Sequence, residues 1–115
     1  MKQNDLLDRT FYFGVNVLKF LRTLPKESEY NIIKYQLGKS ATSVGANYEE
    51  SQAASSQADF KNKVRISLKE ARETNYWLRV IMELSESKSE DLEKLIKESV
   101  ELKNILGAII IKLNK

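Results

Sequence analysis

Residues 36–50 are the most informative segment of this 115-residue chain, and they read Gln36-Leu37-Gly38-Lys39-Ser40-Ala41-Thr42-Ser43-Val44-Gly45-Ala46-Asn47-Tyr48-Glu49-Glu50. Most of these side chains are small, and small side chains along one helix let a neighbouring helix approach closely. A long amphipathic run over residues 59–84 follows along the chain. The small side chains of residues 36–50 therefore predict the closely packed seam of a helical bundle.

The composition favours helices along the whole chain. One proline and four glycines leave little turn chemistry, and 42% of the residues are hydrophobic. Leu, Lys, Glu, Ile and Ala dominate, as is typical of long helices. A chain of this length is large enough to bury one core without disulfides. We therefore expect a single all-α domain over residues 1–115.

The first two helices are predicted from caps and from apolar residues that recur at three- and four-residue steps. The first covers about residues 5–23, with Asp5 as its N-cap, and it stops before Pro25. Ser28 offers the N-cap of the second, which covers about residues 29–53. The predicted core positions are Leu7, Phe11, Val15, Leu18 and Leu21 or Leu24 in the first helix, and Ile33, Leu37, Ser40, Ala41, Val44 and Tyr48 in the second.

The third and fourth helices begin at capping-box-like pairs, Ser56 with Asp59 and Ser87 with Glu90. Because the connections between helices are short, neighbouring helices are expected to run antiparallel. The sequence therefore predicts an all-α, antiparallel up-down-up-down four-helix bundle. The predicted core positions are Phe60, Val64, Leu68, Ala71, Asn75, Leu78 and Met82 in the third helix, and Leu92, Leu95 or Ile96, Leu102, Leu106, Ile109 and Leu113 in the fourth.

Basic side chains line one side of the third predicted helix. The net charge of +3 and the pI near 9.1 are modest, so a polyanion site requires local clustering of this kind. One interpretation is a surface that follows a phosphate backbone. The alternative is a solvated face that is paired with Glu70, Glu73 and Glu83. We call this line the basic ridge; it comprises Lys61, Arg65, Lys69, Arg72 and Arg79, with Tyr76 among them.

A second apolar patch lies on the same helix, outside its core face. We call it the apolar patch, and it comprises Ile66, Trp77, Val80 and Leu84. Because tryptophan is favoured at interface anchors and exposed apolar patches mark protein contacts, we interpret the patch as an oligomer contact. The alternative is that the third helix is broadly buried within the monomer.

The sequence argues against catalysis. It contains no histidine and no cysteine, which removes the commonest general base, the commonest metal ligand and any thiolate. The carboxylate pairs Glu49 with Glu50 and Glu70 with Glu73 are typical of a solvated helix surface. We therefore expect no enzymatic activity, cofactor or metal. The polar residues Asn47 and Asn75 lie close to core faces, and we expect a cross-helix or backbone hydrogen bond for each.

The expected compartment is the cytoplasm. The first residues lack the apolar core of a signal peptide, and the longest apolar run, residues 106–111, is too short to span a membrane. The absence of cysteine fits a reducing environment.

Several segments carry a resemblance to a known family: Pro25, Glu29-Tyr30, Gln36-Leu37, residues 40–50, Ala53, Asp59-Phe60, Lys63 and residues 70–78. They resemble the small four-helix-bundle proteins encoded within intervening sequences of bacterial 23S rRNA genes. The resemblance covers most of the chain, and residues 40–50 are its most specific part. In that family a basic pair usually precedes the Ser-Ala-x-Ser segment. Gly38-Lys39 occupies this place here, so one expected arginine is missing.

The resemblance implies a left-handed antiparallel bundle that assembles into a ring, with a homopentamer as the expected form. The family is also similar to the accessory variability determinant of diversity-generating retroelements, a basic pentameric barrel that associates with a reverse transcriptase and nucleic acid. Function does not follow from fold, so two hypotheses remain. The first is an oligomeric bundle that binds RNA, DNA or another polyanion through Lys39, Lys61, Arg65, Lys69 and Arg72. The second is a self-assembling or protein-binding module that depends on Trp77 and Leu84.

Overall fold

The protein is a bundle of four antiparallel helices. The computed structural model describes residues 3–86 and 89–114, with side chains from Asp5 onward. Each helix packs against the next along the chain, and the first packs against the fourth to close the bundle. The predicted all-α fold is therefore confirmed. The helices are α1 (Gln3–Leu21), α2 (Glu29–Ser51), α3 (Gln57–Leu84) and α4 (Glu90–Leu113).

The starts of α3 and α4 follow from serine caps. The Ser56 hydroxyl accepts a hydrogen bond from the Asp59 amide at 3.0 Å, which confirms the predicted cap. The Asp59 carboxylate accepts from the Ser55 amide at 3.1 Å, one residue before the cap. Ser89 caps α4 through a bond from the Leu92 amide. The predicted capping residue Ser87 lies outside the described residues.

Two predicted caps are wrong. α1 begins at Gln3, so Asp5 lies inside the first turn, where its carboxylate favours the helix dipole. Ser28 has helical backbone angles, with φ −57° and ψ −34°, and makes no side-chain capping bond. An N-cap needs an extended backbone for its oxygen to reach the amides of the first turn. α1 and α2 also end at Leu21 and Ser51, two residues before their predicted ends.

The predicted core stripes of three helices point inward. All six predicted α2 positions are buried. In α3 the positions Val64, Ala71 and Leu78 are fully buried, and the remaining predicted positions are half-buried. In α4 the buried positions are Leu92, Leu95, Leu102 and Leu106.

The predicted core stripe of α1 is wrong. Phe11 is 58% exposed and Leu18 is 45% exposed, while Leu7 and Val15 are half-buried. The helix carries two apolar stripes, and it turns the other one inward. This inner stripe comprises Leu6, Phe13, Val17 and Phe20, with Thr10 buried among them.

A close approach between α1 and α2 accounts for this orientation. A Cβ atom at Gly45 would lie 3.0 Å from the carbonyl oxygen of Thr10, and one at Gly14 would lie 3.3 Å from the carbonyl oxygen of Ala41. Each glycine therefore admits the backbone of the opposite helix, which confirms the predicted seam. The approach brings Thr10 and Gly14 to α2, and this turns Phe11 and Leu18 away from the core.

The seam between α1 and α4 holds a charged pair. Arg9 donates to both carboxylate oxygens of Glu98, with Nε 3.0 Å from Oε2, and Nη2 lies 3.3 Å from Glu101 Oε1. The hydrogen bond with Glu98 raises the pKa of Arg9 above its ordinary value. Bidentate pairing of this kind fixes orientation as well as adding stability, so it sets the register of α1 on α4.

Among the described residues, no helix combines the length and the apolar content that a membrane crossing requires.

Candidate nucleic-acid interface

The basic ridge lies on the outer face of α3. At roughly 100° per residue its five side chains fall within an arc of about 80°, centred opposite the buried stripe of the helix. Arg65, Lys69, Arg72 and Arg79 are exposed, and Lys61 is half-buried. The helical rise places the two ends of the ridge roughly 27 Å apart. The fold therefore presents these cations as one continuous line.

The cations of the ridge have no carboxylate within 4.0 Å in the described part of the chain. The ion pairs formed there join Arg9 to Glu98 and Glu101, and Lys94 to Glu90. Glu73, one of the acids expected to neutralise the ridge, accepts instead from Trp77 Nε1 at 3.3 Å. The ion pairs that the alternative requires are thus absent from the described residues. The positive charge of the ridge therefore stays available to a ligand.

Lys39 lies on α2, beside the ridge rather than within it. Its ammonium group is 6.0 Å from the centre of the Tyr35 ring. Burial raises the pKa of Glu70 above its ordinary value, and the charge of Glu73 raises it further. The positive charges of Lys69 and Lys39 act in the opposite direction. Ser40, the residue after Lys39, is hydrogen-bonded to Thr74 of α3 at 2.9 Å, so Lys39 lies beside the ridge across the seam between α2 and α3.

A chain of hydrogen bonds ties the ridge to α4. Asn75 Nδ2 donates to Ser99 Oγ at 2.9 Å, which confirms the predicted cross-helix bond. Ser99 Oγ in turn donates to the carbonyl oxygen of Ile96 at 2.6 Å. On the outer side, Arg79 Nε donates to Asn75 Oδ1 at 2.8 Å. Asn47 makes the other predicted bond, which runs from its Nδ2 to the backbone of its own helix.

The apolar patch of α3 is partly covered within the monomer. Ile66, Trp77 and Val80 are half-buried, and Leu84 is 46% exposed. Trp77 and Val80 pack against the core of the same chain. Broad burial in the monomer therefore accounts for part of the patch, and Leu84 is its most exposed member.

A second apolar surface was missed as a site at the sequence level. We call it the outer groove; it runs between α1 and α2 and encloses about 370 Å³. Phe11, Val15 and Leu18 form one wall, and Thr42 and Ala46 line the other. The signal was present in the sequence as the second apolar stripe of α1. The sequence predicts this stripe as core, because periodicity alone cannot tell which of two stripes is buried.

These features define the class of protein: a small four-helix bundle with a basic outer face and two partly exposed apolar surfaces. The family model for the 23S rRNA-intervening sequence protein matches residues 2–108, and the chain belongs to that family. The name of this family indicates no enzymatic activity.

A crystal structure of a protein from Bacteroides thetaiotaomicron, from the S23 ribosomal protein family and described as having unknown function, has the same fold. It is 35% identical in sequence, with a TM-score of 0.83 over 91% of this chain and 97% of that chain. No curated protein matches the chain. The resemblance to the intervening-sequence family is thus confirmed, and the likeness to the accessory variability determinant stays a prediction.

Proposed function

We propose that this protein is a non-enzymatic, oligomeric helical bundle that binds RNA or another polyanion through the basic ridge and the neighbouring Lys39. The observation that carries the proposal is the line of five α3 cations with no carboxylate within ion-pair distance among the described residues. Surface cations that pair with neighbouring carboxylates lose much of their attraction for an anionic ligand. The cations of the ridge lack such partners and therefore retain this attraction.

The spacing of the ridge also supports a phosphate backbone as the ligand. The cations from Lys61 to Arg72 recur at three- and four-residue steps, so successive turns of α3, about 5.4 Å apart, present a positive charge to the same side. Arg79 follows two turns after Arg72. A flexible nucleic-acid strand can bring its phosphates to charges at this repeat. Each contact releases counterions from the nucleic acid, and binding of this kind depends steeply on salt.

Light scattering after size-exclusion chromatography tests the proposal directly. The protein is run alone and with a short structured RNA, at low and at physiological salt. We expect one oligomeric particle that takes up RNA at low salt and releases most of it at physiological salt. No binding of RNA at either salt concentration, or equal binding at both, would contradict an electrostatic interface.

Self-assembly without a nucleic-acid role is the second candidate. The exposed side chains of Leu84 on α3 and of Phe11 and Leu18 in the outer groove favour it, because large apolar side chains grouped on a surface mark protein contacts. The family resemblance implies a homopentamer as the assembled form. In this candidate the apolar patch matters to function and the basic ridge does not.

Trp77→Ala tests the assembly. We expect the variant to elute as a helical monomer, because it removes the largest apolar side chain of the patch. Since Trp77 also packs against its own core, Leu84→Glu serves as a second variant that leaves the monomer core intact. Circular dichroism verifies that both variants remain helical. If both variants elute at the same volume as the parent, the apolar patch is not part of the oligomer interface.

A further inference from the structure

Tyr76 is an exposed aromatic side chain that lies between Arg72 and Arg79 of the basic ridge. It is 50% exposed and follows Arg72 by one helical turn. Its ring meets the Trp77 ring edge to face, with centroids 5.1 Å apart and planes at 78°. The Arg79 guanidinium lies 5.9 Å from the centre of the Tyr76 ring. The tyrosine is thus held between an aromatic neighbour and a cation.

Arg79 is positioned before any ligand arrives. Its Nε is hydrogen-bonded to Asn75, which is anchored to Ser99 of α4, so the guanidinium is held beside the tyrosine ring. None of the hydrogen bonds formed among the described residues uses its two terminal nitrogens. Donors fixed in this way lose little conformational entropy when they bind a phosphate, and a guanidinium can bind phosphate through two of them.

We infer that Tyr76 and Arg79 form a base-stacking platform, so that the ligand of the ridge is a single-stranded nucleic acid. This inference rests on the proposed function, and it limits the ligand from any polyanion to a single-stranded nucleic acid. Proteins that bind single strands combine a basic track with aromatic rings on which unpaired bases stack. In a duplex the bases are stacked on one another and cannot reach such a ring. A polyanion without bases would use the cations alone.

A comparison of three tyrosine variants tests the platform. Tyr76→Ala is expected to weaken binding of a short unstructured RNA about tenfold, as loss of one base stack does, while Tyr76→Phe keeps the ring and the affinity. Tyr12→Ala is the matched control: Tyr12 is 57% exposed and meets Phe11 edge to face at the same 5.1 Å, but it lies on α1, away from the ridge. Fluorescence anisotropy of labelled RNA measures the affinity of each of the three variants and of the parent protein.

Inorganic polyphosphate and fully paired RNA distinguish base stacking on Tyr76 from attraction by charge alone. Tyr76→Ala is expected to leave binding of inorganic polyphosphate and of fully paired RNA unchanged. Trp77, the chain's one tryptophan, reports contact at its neighbour, so its fluorescence should change with single-stranded RNA but not with polyphosphate. Equal binding of the unstructured RNA by Tyr76→Ala and the parent, or equal losses in Tyr76→Ala and Tyr76→Phe, would overturn the platform alone. Binding of none of the three ligands by the parent would overturn both the platform and the proposed function.

Discussion

Gly45→Val is expected to lower the free energy of unfolding by about 1–3 kcal/mol, the range typical of overpacking. Even a Cβ atom at this position would approach three backbone atoms of α1: the carbonyl oxygen of Thr10 at 3.0 Å, its carbonyl carbon at 3.1 Å and the amide nitrogen of Phe11 at 3.3 Å. Backbone in a helix cannot turn aside as a side chain can. The valine must therefore push α1 and α2 apart, and the whole seam loses contact.

Gly107→Ala is the control, with an effect of opposite sign. A Cβ atom at Gly107 would meet nothing within 4 Å, and the residue lies inside α4. The change should raise the stability by up to about 1 kcal/mol, because alanine is a better helix former than glycine. Urea unfolding followed by circular dichroism measures both variants at one fixed protein concentration, since assembly shifts the apparent stability. A Gly45→Val variant as stable as the parent would mean that the seam is not closely packed.

Charge reversal of the ridge carries the largest expected effect on binding. The six proposed contacts, made by the five cations of the basic ridge and by Lys39, predict a slope of log affinity against log salt of about −4 for a single strand. That slope corresponds to a loss of affinity of about 300-fold between 50 and 200 mM salt. Arg65→Glu with Lys69→Glu should abolish measurable binding at physiological salt, because it removes two attractions and adds two repulsions. Where binding can still be followed at low salt, the magnitude of the slope should fall to about 3, because four contacts remain.

The matched control for this reversal is Lys97→Glu with Lys112→Glu. Both lysines are exposed on α4, so the control changes the net charge by the same amount away from the ridge. Salt titrations followed by fluorescence anisotropy compare the two double variants with the parent. The control should keep the slope of the parent and lose only a small part of its affinity. Similar losses in both would mean that overall charge, and not the ridge, attracts the ligand.

Much of the candidate site could be predicted because it depends on one helix. The basic ridge follows from the spacing of Arg65, Lys69 and Arg72 along α3, and helical geometry alone places them on one side. That the ridge lacks carboxylate partners within ion-pair distance could not be predicted. Glu73 lies four residues from both Lys69 and Trp77, so helical spacing allows either partner, and only the structure shows that it bonds to Trp77.

The hydrogen bonds that hold Arg79 in place could not be predicted from the sequence either. The sequence predicts a hydrogen bond for Asn75, but its partner Ser99 lies on another helix, 24 residues further along the chain. Sequence spacing gives no measure of how two distant helices are rotated against each other. The anchored guanidinium beside Tyr76 therefore appears only once α3 and α4 are packed.

The sequence by itself determined the four helices, the cap at Ser56 and the inward faces of α2, α3 and α4. These features depend on residues within a few turns of one another, and each of those three helices has one dominant apolar stripe. Only the tertiary structure decided which face of α1 is buried. Its two stripes, represented by Phe13 and Phe11, are similarly apolar, so the hydrophobic effect alone does not choose between them. The choice is made by close packing, because Gly14 and Gly45 let the two backbones meet in a single orientation, which leaves Phe11 on the surface.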